Sequence, residues 1–508
     1  MDDKDVGNKY DRQVRLWSPS GQKCLSNSSI CLINANTTAS ETLKNLVLPG
    51  VGRITIIDNS RKVTPNDLAS SFFLSDSSSD HTRAGRLANT LSALNPDVEI
   101  LVEQRSLSQL LFIPSYWSEF SCVIVSQFLE NADHERLLSD ILWRINVCLI
   151  EVNSIGFYAT LRIKYREQEI VETHDNNTED LRLDFPWPEL QGHIDSINLD
   201  ELDDQSFSNV PYSIILTKVY QRLHKRTGKR PTPSAVRKFI QSELRRNGEE
   251  TNLDEASNRA ILVLKDSREI PESLTRIFEE GENNDGSADS PFWPLVKALY
   301  FFYHKHGLLP LSGVLPDMES DTEQYIALTK LYRDKFEADK KEIKEIFEDQ
   351  YGGTVSDSYL TTFVKNCKFM RVHRGSRESF KASLLTEESE NEDPQRLSNL
   401  NIYVGFLALK SFYYEYHRLP SVSDCSELRA TAISLLCHYQ SVRNFPDGLE
   451  KVLDEICRAR GSELHNICAL IGGIAGQEVI KVITNQYVTL DNCMSFDGIK
   501  AQGGTWRI

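Results

Sequence analysis

Short apolar runs and helix-spaced stretches alternate along the first part of the chain. The runs at 28–34 (SSICLIN), 52–59 (GRITIIDN), 98–103, 122–127 and 146–153 are brief and rich in β-branched residues, which predicts strands. Between them, 38–48 (TASETLKNLVL), 83–94 and 131–143 repeat apolar residues at helical spacing, and Pro49 with Gly50 punctuates the first. Strand and helix in alternation predict a mostly parallel, doubly wound α/β sheet, because parallel neighbours need a crossover of helical length.

The spacing then changes. From about 178 to 460 it is predominantly helical, as in VPYSIILTKVYQRLHKR, WPLVKALYFFYHKH and NIYVGFLALKSFYYEYH. Two acidic stretches, 279–289 and 386–395, read as solvated loops. Three segments ending at Pro231, Pro310 and Pro420 each join an aromatic, basic helix to a turn and a proline. Recurrent helix-stop chemistry explains them more simply than internal duplication. Beyond 460 comes a helix carrying the small residues Gly472, Gly473, Ala475 and Gly476, which admit a close neighbour, and then a predicted strand QYVTLDN (486–492). Residues 1–165 and 461–508 therefore read as one α/β domain, split by a mainly helical insertion at 166–460.

Composition narrows the classes. With 508 residues the chain is long enough for more than one core, and 57 basic against 73 acidic side chains (net −16) disfavours a nucleic-acid surface. The start lacks an apolar core of signal-peptide length, and no run of about 18 apolar residues occurs. The expectation is a chain that neither spans a membrane nor is secreted, compatible with the cytoplasm or the nucleus. Ten cysteines are scattered without a C-x-x-C pair, which suits buried thiols in a reducing compartment better than a zinc site or a disulfide framework.

The segment from Ile33 to Asn59 has the outline of a nucleotide-binding βαβ unit without its glycines. Such a unit needs glycine where this chain has Asn34, Asn36 and Ala39: for the turn, for phosphate approach, and for tight helix packing. Asn tolerates a left-handed backbone, so the turn can survive. The side chains of Asn34 and Asn36 are expected to fill the space an anion requires. Asp58, ending the second strand, either binds a ribose hydroxyl or hydrogen-bonds its own loop.

Four ordered motifs, KYDRQVRLWSPSGQ (9–22), the 33–58 unit, NDLASSFFL (66–74) and GGIAGQEVIKVIT (472–484), resemble the enzymes that activate ubiquitin and its relatives. With LRLDFPWPEL (181–190) and LPDMESDTEQYIALTKLYRDK (315–335), the chain looks most like the regulatory subunits of the heterodimeric enzymes for the Nedd/Rub modifier, which is attached to cullins. The resemblance implies a degenerate doubly wound (Rossmann-like, ThiF/MoeB-type) adenylation fold interrupted by a large, mainly helical insertion. It also implies a catalytic partner subunit that binds ATP and Mg²⁺, adenylates the modifier and carries the thioester cysteine, with no cofactor or metal bound by this chain. Where active members carry an Arg-Gln pair this chain has Ser70 and Ser71, and the second acid of their DxD stretch falls at Ser60. Their lysine maps to Arg83 and their metal-binding aspartate at best to Glu130. Losing the cradle and the clamp together should abolish adenylation here, leaving a chain that is not catalytic alone.

Other roles follow from the same resemblance. Arg12, in YDRQ, matches an arginine that reaches ATP bound by the partner; the plainer alternative is a pair with a carboxylate, Asp11 or one of the partner subunit, that only fixes the N-terminal helix. The insertion occupies the place of the catalytic-cysteine domain, but Cys367 between Lys365 and Lys368 is not nominated as a nucleophile. Ser320 or Asp321 can cap a helix whose Tyr325, Leu328 and Tyr332 share a face, either core or subunit contact, and Gly472, Gly473, Gln477 and Lys481 are further contact candidates. Competing readings are a SUMO-type regulatory subunit, a self-sufficient homodimeric enzyme with a divergent phosphate loop, and a scaffold unconnected with modifiers.

Overall fold

Strands β1 (Ser29–Ile33), β2 (Arg53–Ile57), β3 (Glu99–Val102), β4 (Cys122–Ser126) and β5 (Cys148–Ile155) run parallel in the order β3-β2-β1-β4-β5. Their sequences read as unbroken apolar runs because both faces are covered: Ile30 and Leu32 enter one core cluster, Cys31 and Ile33 the other. Helices α1 (Asp11–Ser26), α2 (Thr37–Val47) and α3 (Arg83–Leu94) contribute to the first cluster, and α4 (Ala132–Arg144) to the second. Strand β6 (Tyr158–Lys164) pairs antiparallel with β5 and was not anticipated from the sequence.

The computed structural model describes residues 9–59, 61–74, 81–174, 180–246, 250–282, 290–376, 394–438 and 448–508, with isolated positions (380, 384, 385, 387, 446) between. Two compact units emerge: Met1–Ile170 with Val372–Ile508, and Val171–Arg371. Residues 372–460, grouped with the insertion by their helical spacing, pack in the unit that holds the sheet.

In the second unit, α5 (Tyr212–Thr227) and α6 (Phe292–His306) each stop at a left-handed glycine, Gly228 and Gly307. The long α7 (Thr322–Tyr351) is capped by Asp321, which accepts from Gln324 N at 2.7 Å. The acidic stretch expected as a loop at 279–289 is helical through Glu282, and 283–289 lie outside the described residues, as does most of 386–395.

The sheet unit continues with α8 (Pro394–Tyr416), α9 (Cys425–His438), α10 (Leu449–Ala459) and α11 (His465–Thr484). The third aromatic helix, α8, lies in this unit and ends with His417 at φ +50 in place of a glycine, so the three similar segments share stop chemistry and not a repeated environment. By length and composition α11 could cross a membrane, yet it packs on α2 in the core. The predicted strand at 486–492 does not form; the strands are β7 (Cys493–Asp497) and β8 (Gln502–Trp506), which extend the sheet antiparallel beyond β6. The full order is β8-β7-β6-β5-β4-β1-β2-β3.

Candidate functional site: an occupied nucleotide crevice

A doubly wound sheet binds ligands where its strand order reverses, outside the carboxyl ends of the strands. Here that point lies between β1 and β4, where Asn34, Asn36, Arg83, Gln127, Phe128 and Glu463 line a cavity of about 320 Å³. Asn34 takes the left-handed turn (φ +71), as its residue type allows. Its Nδ2 donates to Ser126 O at 2.9 Å and Phe128 O at 3.2 Å. Asn36 caps α2, its Oδ1 accepting from Ala39 N at 2.9 Å and from Ser126 Oγ at 2.7 Å.

A helix start leaves its first amide groups without internal partners, which is what makes it an anion site. On α2 every one is taken. Thr37 N and Thr38 N donate to the two carboxylate oxygens of Glu463, each at 3.1 Å, and Thr38 Oγ1 donates to the same group at 2.6 Å. Ala39 N goes to Asn36, and Ser40 N begins the helical ladder on Asn36 O at 3.0 Å. The expectation that Asn34 and Asn36 themselves obstruct the anion is therefore corrected. Their amides turn to the end of β4 and to the helix cap, and the obstruction is a carboxylate from the loop between α10 and α11. Ala39 is fully buried in the adjoining core.

The Asp58 carboxylate is paired with a side chain of α3. Arg83 grips it in a fork, Nε to Oδ2 at 2.9 Å and Nη2 to Oδ1 at 2.8 Å, and also reaches Asp67 at 3.5 Å. Burial lowers the Arg83 pKa, but Asp58, with Asp67 and Glu463 behind it, more than offsets this and the net direction is up. Ser70 and Ser71 bond locally: Thr37 Oγ1 lies 2.8 Å from Ser70 Oγ, which donates to Asn66 O, and Ser71 Oγ accepts from Phe73 N. Glu130 is exposed and held by Asn59 Nδ2 at 2.7 Å. Ser60 lies outside the described residues. The residues present do not fit a triphosphate: the helix donors are spent, a negative charge stands in their place, and the acid that would meet a ribose is paired.

The remaining candidates separate. Arg12 is exposed, with no hydrogen bond or ion pair among the described residues, while Asp11 pairs with Arg15 at 2.9 Å. Burial pushes the Cys367 thiol up to about 12 against the opposing charges of Lys368 and Arg182, which disfavours the thiolate there. Leu328 and Tyr332 are core residues and not contact residues: Tyr332 is 1% exposed and its hydroxyl donates to Leu181 O at 2.7 Å. Tyr325 is half-buried, its hydroxyl near Asp317. Gly472 serves an internal contact, since a Cβ there would lie 2.8 Å from Thr42 N of α2. At Gly473 a Cβ would meet nothing within 4 Å. Gln477 is exposed, and Lys481 pairs with Glu478 at 2.6 Å. Among the described residues no three His, Cys, Asp or Glu side chains are grouped to hold a metal.

Glu463 was missed. Its partners lie 425 and 426 positions away, and nothing in RGSELHN marks it.

Fold and site together define a class: a doubly wound α/β protein of nucleotide-binding architecture whose phosphate cradle is filled by its own side chains. Residues 10–508 match the ThiF family. The NEDD8-activating enzyme E1 regulatory subunit AXL of Arabidopsis thaliana is 34% identical, with 97% of each chain covered. The NEDD8-activating enzyme E1 regulatory subunits of Xenopus laevis (32%, 98% of each) and Saccharomyces cerevisiae (28%, 98% of this chain and 100% of that one) are also similar. The chain belongs to the ThiF family and, within it, to the group formed by these regulatory subunits.

Proposed function

We propose that this chain is the non-catalytic, regulatory subunit of a heterodimeric enzyme that activates a NEDD8-type modifier. Its partner, the catalytic subunit, binds ATP and Mg²⁺, adenylates the modifier's C-terminus and carries the thioester cysteine; this chain shapes the pair and lends it Arg12. The observation that carries the reading is the seating of Glu463 on the first two amides of α2, which takes the helix-start donors a phosphate would need. An exposed guanidinium with no partner among the described residues supports delivery of Arg12 across the interface, where a planar fork can bridge phosphate oxygens. Arg12→Ala should leave the heterodimer intact while slowing adenylate formation, followed as ATP–pyrophosphate exchange. Unchanged exchange would remove Arg12 from the mechanism.

A further inference from the structure

The crevice keeps more of an oxyanion site than its lost glycines suggest. Helix α2, eleven residues long, points its first two amides at Glu463, which lines the cavity together with Arg61 and Arg83. Asn36, 5% exposed, also lines it and leaves its Nδ2 without a hydrogen-bond partner. The group at the helix end is an anion, but an internal one. One Glu463 oxygen accepts from Thr37 N and the other from Thr38 N and Thr38 Oγ1, the arrangement in which two oxygens of a phosphate meet successive amides. Gln127 Nε2 approaches the same carboxylate at 3.5 Å. The loop bearing Glu463 is itself fixed, Gly156 N donating to Ser462 O at 2.8 Å.

We propose that Glu463 is a tethered anion holding shut a latent oxyanion site. A carboxylate attached to the chain competes at a high effective concentration, and its charge repels a second anion placed beside it. The site was thus not erased; it was filled from within, and Glu463 also fastens the loop after α10 to the start of α2. This rests on the reading that the chain binds no nucleotide of its own.

The test is calorimetric titration of the purified full-length chain with inorganic pyrophosphate at constant ionic strength. Glu463→Ala should bind at least about tenfold more tightly than the wild type, the equivalent of one charge-assisted hydrogen bond regained. Arg61→Ala in that background should weaken binding again. A folded Glu463→Ala chain with unchanged affinity overturns the inference. If that variant does not fold, Glu463→Gln, which keeps the shape without the charge, should show a larger saturable rise in melting temperature with pyrophosphate than the wild type; equal rises overturn the inference. Tight ATP binding by the wild type would overturn the proposed function and this inference together, whereas unchanged pyrophosphate affinity overturns only the inference.

Discussion

Two adjacent glycines in α11 separate internal packing from surface. A Cβ at Gly472 would lie 2.8 Å from Thr42 N and 3.0 Å from two Glu41 atoms, all but one of these backbone atoms of α2 that cannot swing aside. At Gly473 a Cβ would meet nothing within 4 Å. Gly472→Ala and Gly473→Ala share the helix-propensity gain, about 1 kcal/mol, so it cancels in their comparison. What is left is the overpacking at Gly472, about 1–3 kcal/mol. At 1.36 kcal/mol per factor of ten, that is roughly a five- to 150-fold difference in local opening. Hydrogen exchange read by mass spectrometry on the α11 peptide measures it without requiring both units to unfold together. Gly473→Ala should exchange no faster than the wild type, and Gly472→Ala faster than Gly473→Ala by that factor. Equal protection in the two variants would refute the close approach of α11 to α2.

Arg83→Met should destabilise the sheet unit by about 3–5 kcal/mol in urea unfolding, because it strands the Asp58 carboxylate in the interior; adding Asp58→Leu should restore much of the loss. Acid should weaken the same unit. Hydrogen bonding to Arg105 brings Glu103 to about 2, and Glu151 also falls to about 2 because Lys164, Lys410 and Arg162 outweigh the upward effect of its burial. Carboxyls depressed on folding contribute stability above their unfolded pKa, near about 4, and lose it as pH falls through about 2. The urea midpoint should fall through that window, and Glu151→Gln should flatten the fall; an unchanged slope would rule Glu151 out.

The parallel half of the sheet was legible because a strand covered on both faces reads as an apolar run, and Asn34 declared its left-handed turn by residue type. The far edge was not. QYVTLDN carries strand-forming residues, yet Tyr487 sits at φ +59 and breaks any ladder, while β8 holds Gly503 and Gly504, poor strand formers, in register with β7. Leu328 and Tyr332 show the ordinary ambiguity of an apolar helix face, which one sequence cannot assign to core or contact. At the site, the missing glycines were legible as departures from a nucleotide-binding unit. What occupies the crevice was not legible: Glu463 and Arg83 are charged residues brought to α2 and Asp58 by the fold, and such pairings leave no periodic trace.

Equilibrium binding of Mg·ATP, measured on this chain alone and on its complex with the catalytic subunit, tests most directly the idea of a filled crevice beside a working partner. The expected result is no saturable binding by the chain alone and a single nucleotide per complex, lodged in the partner. Saturable binding by the isolated chain, lost on blocking the start of α2, would contradict it.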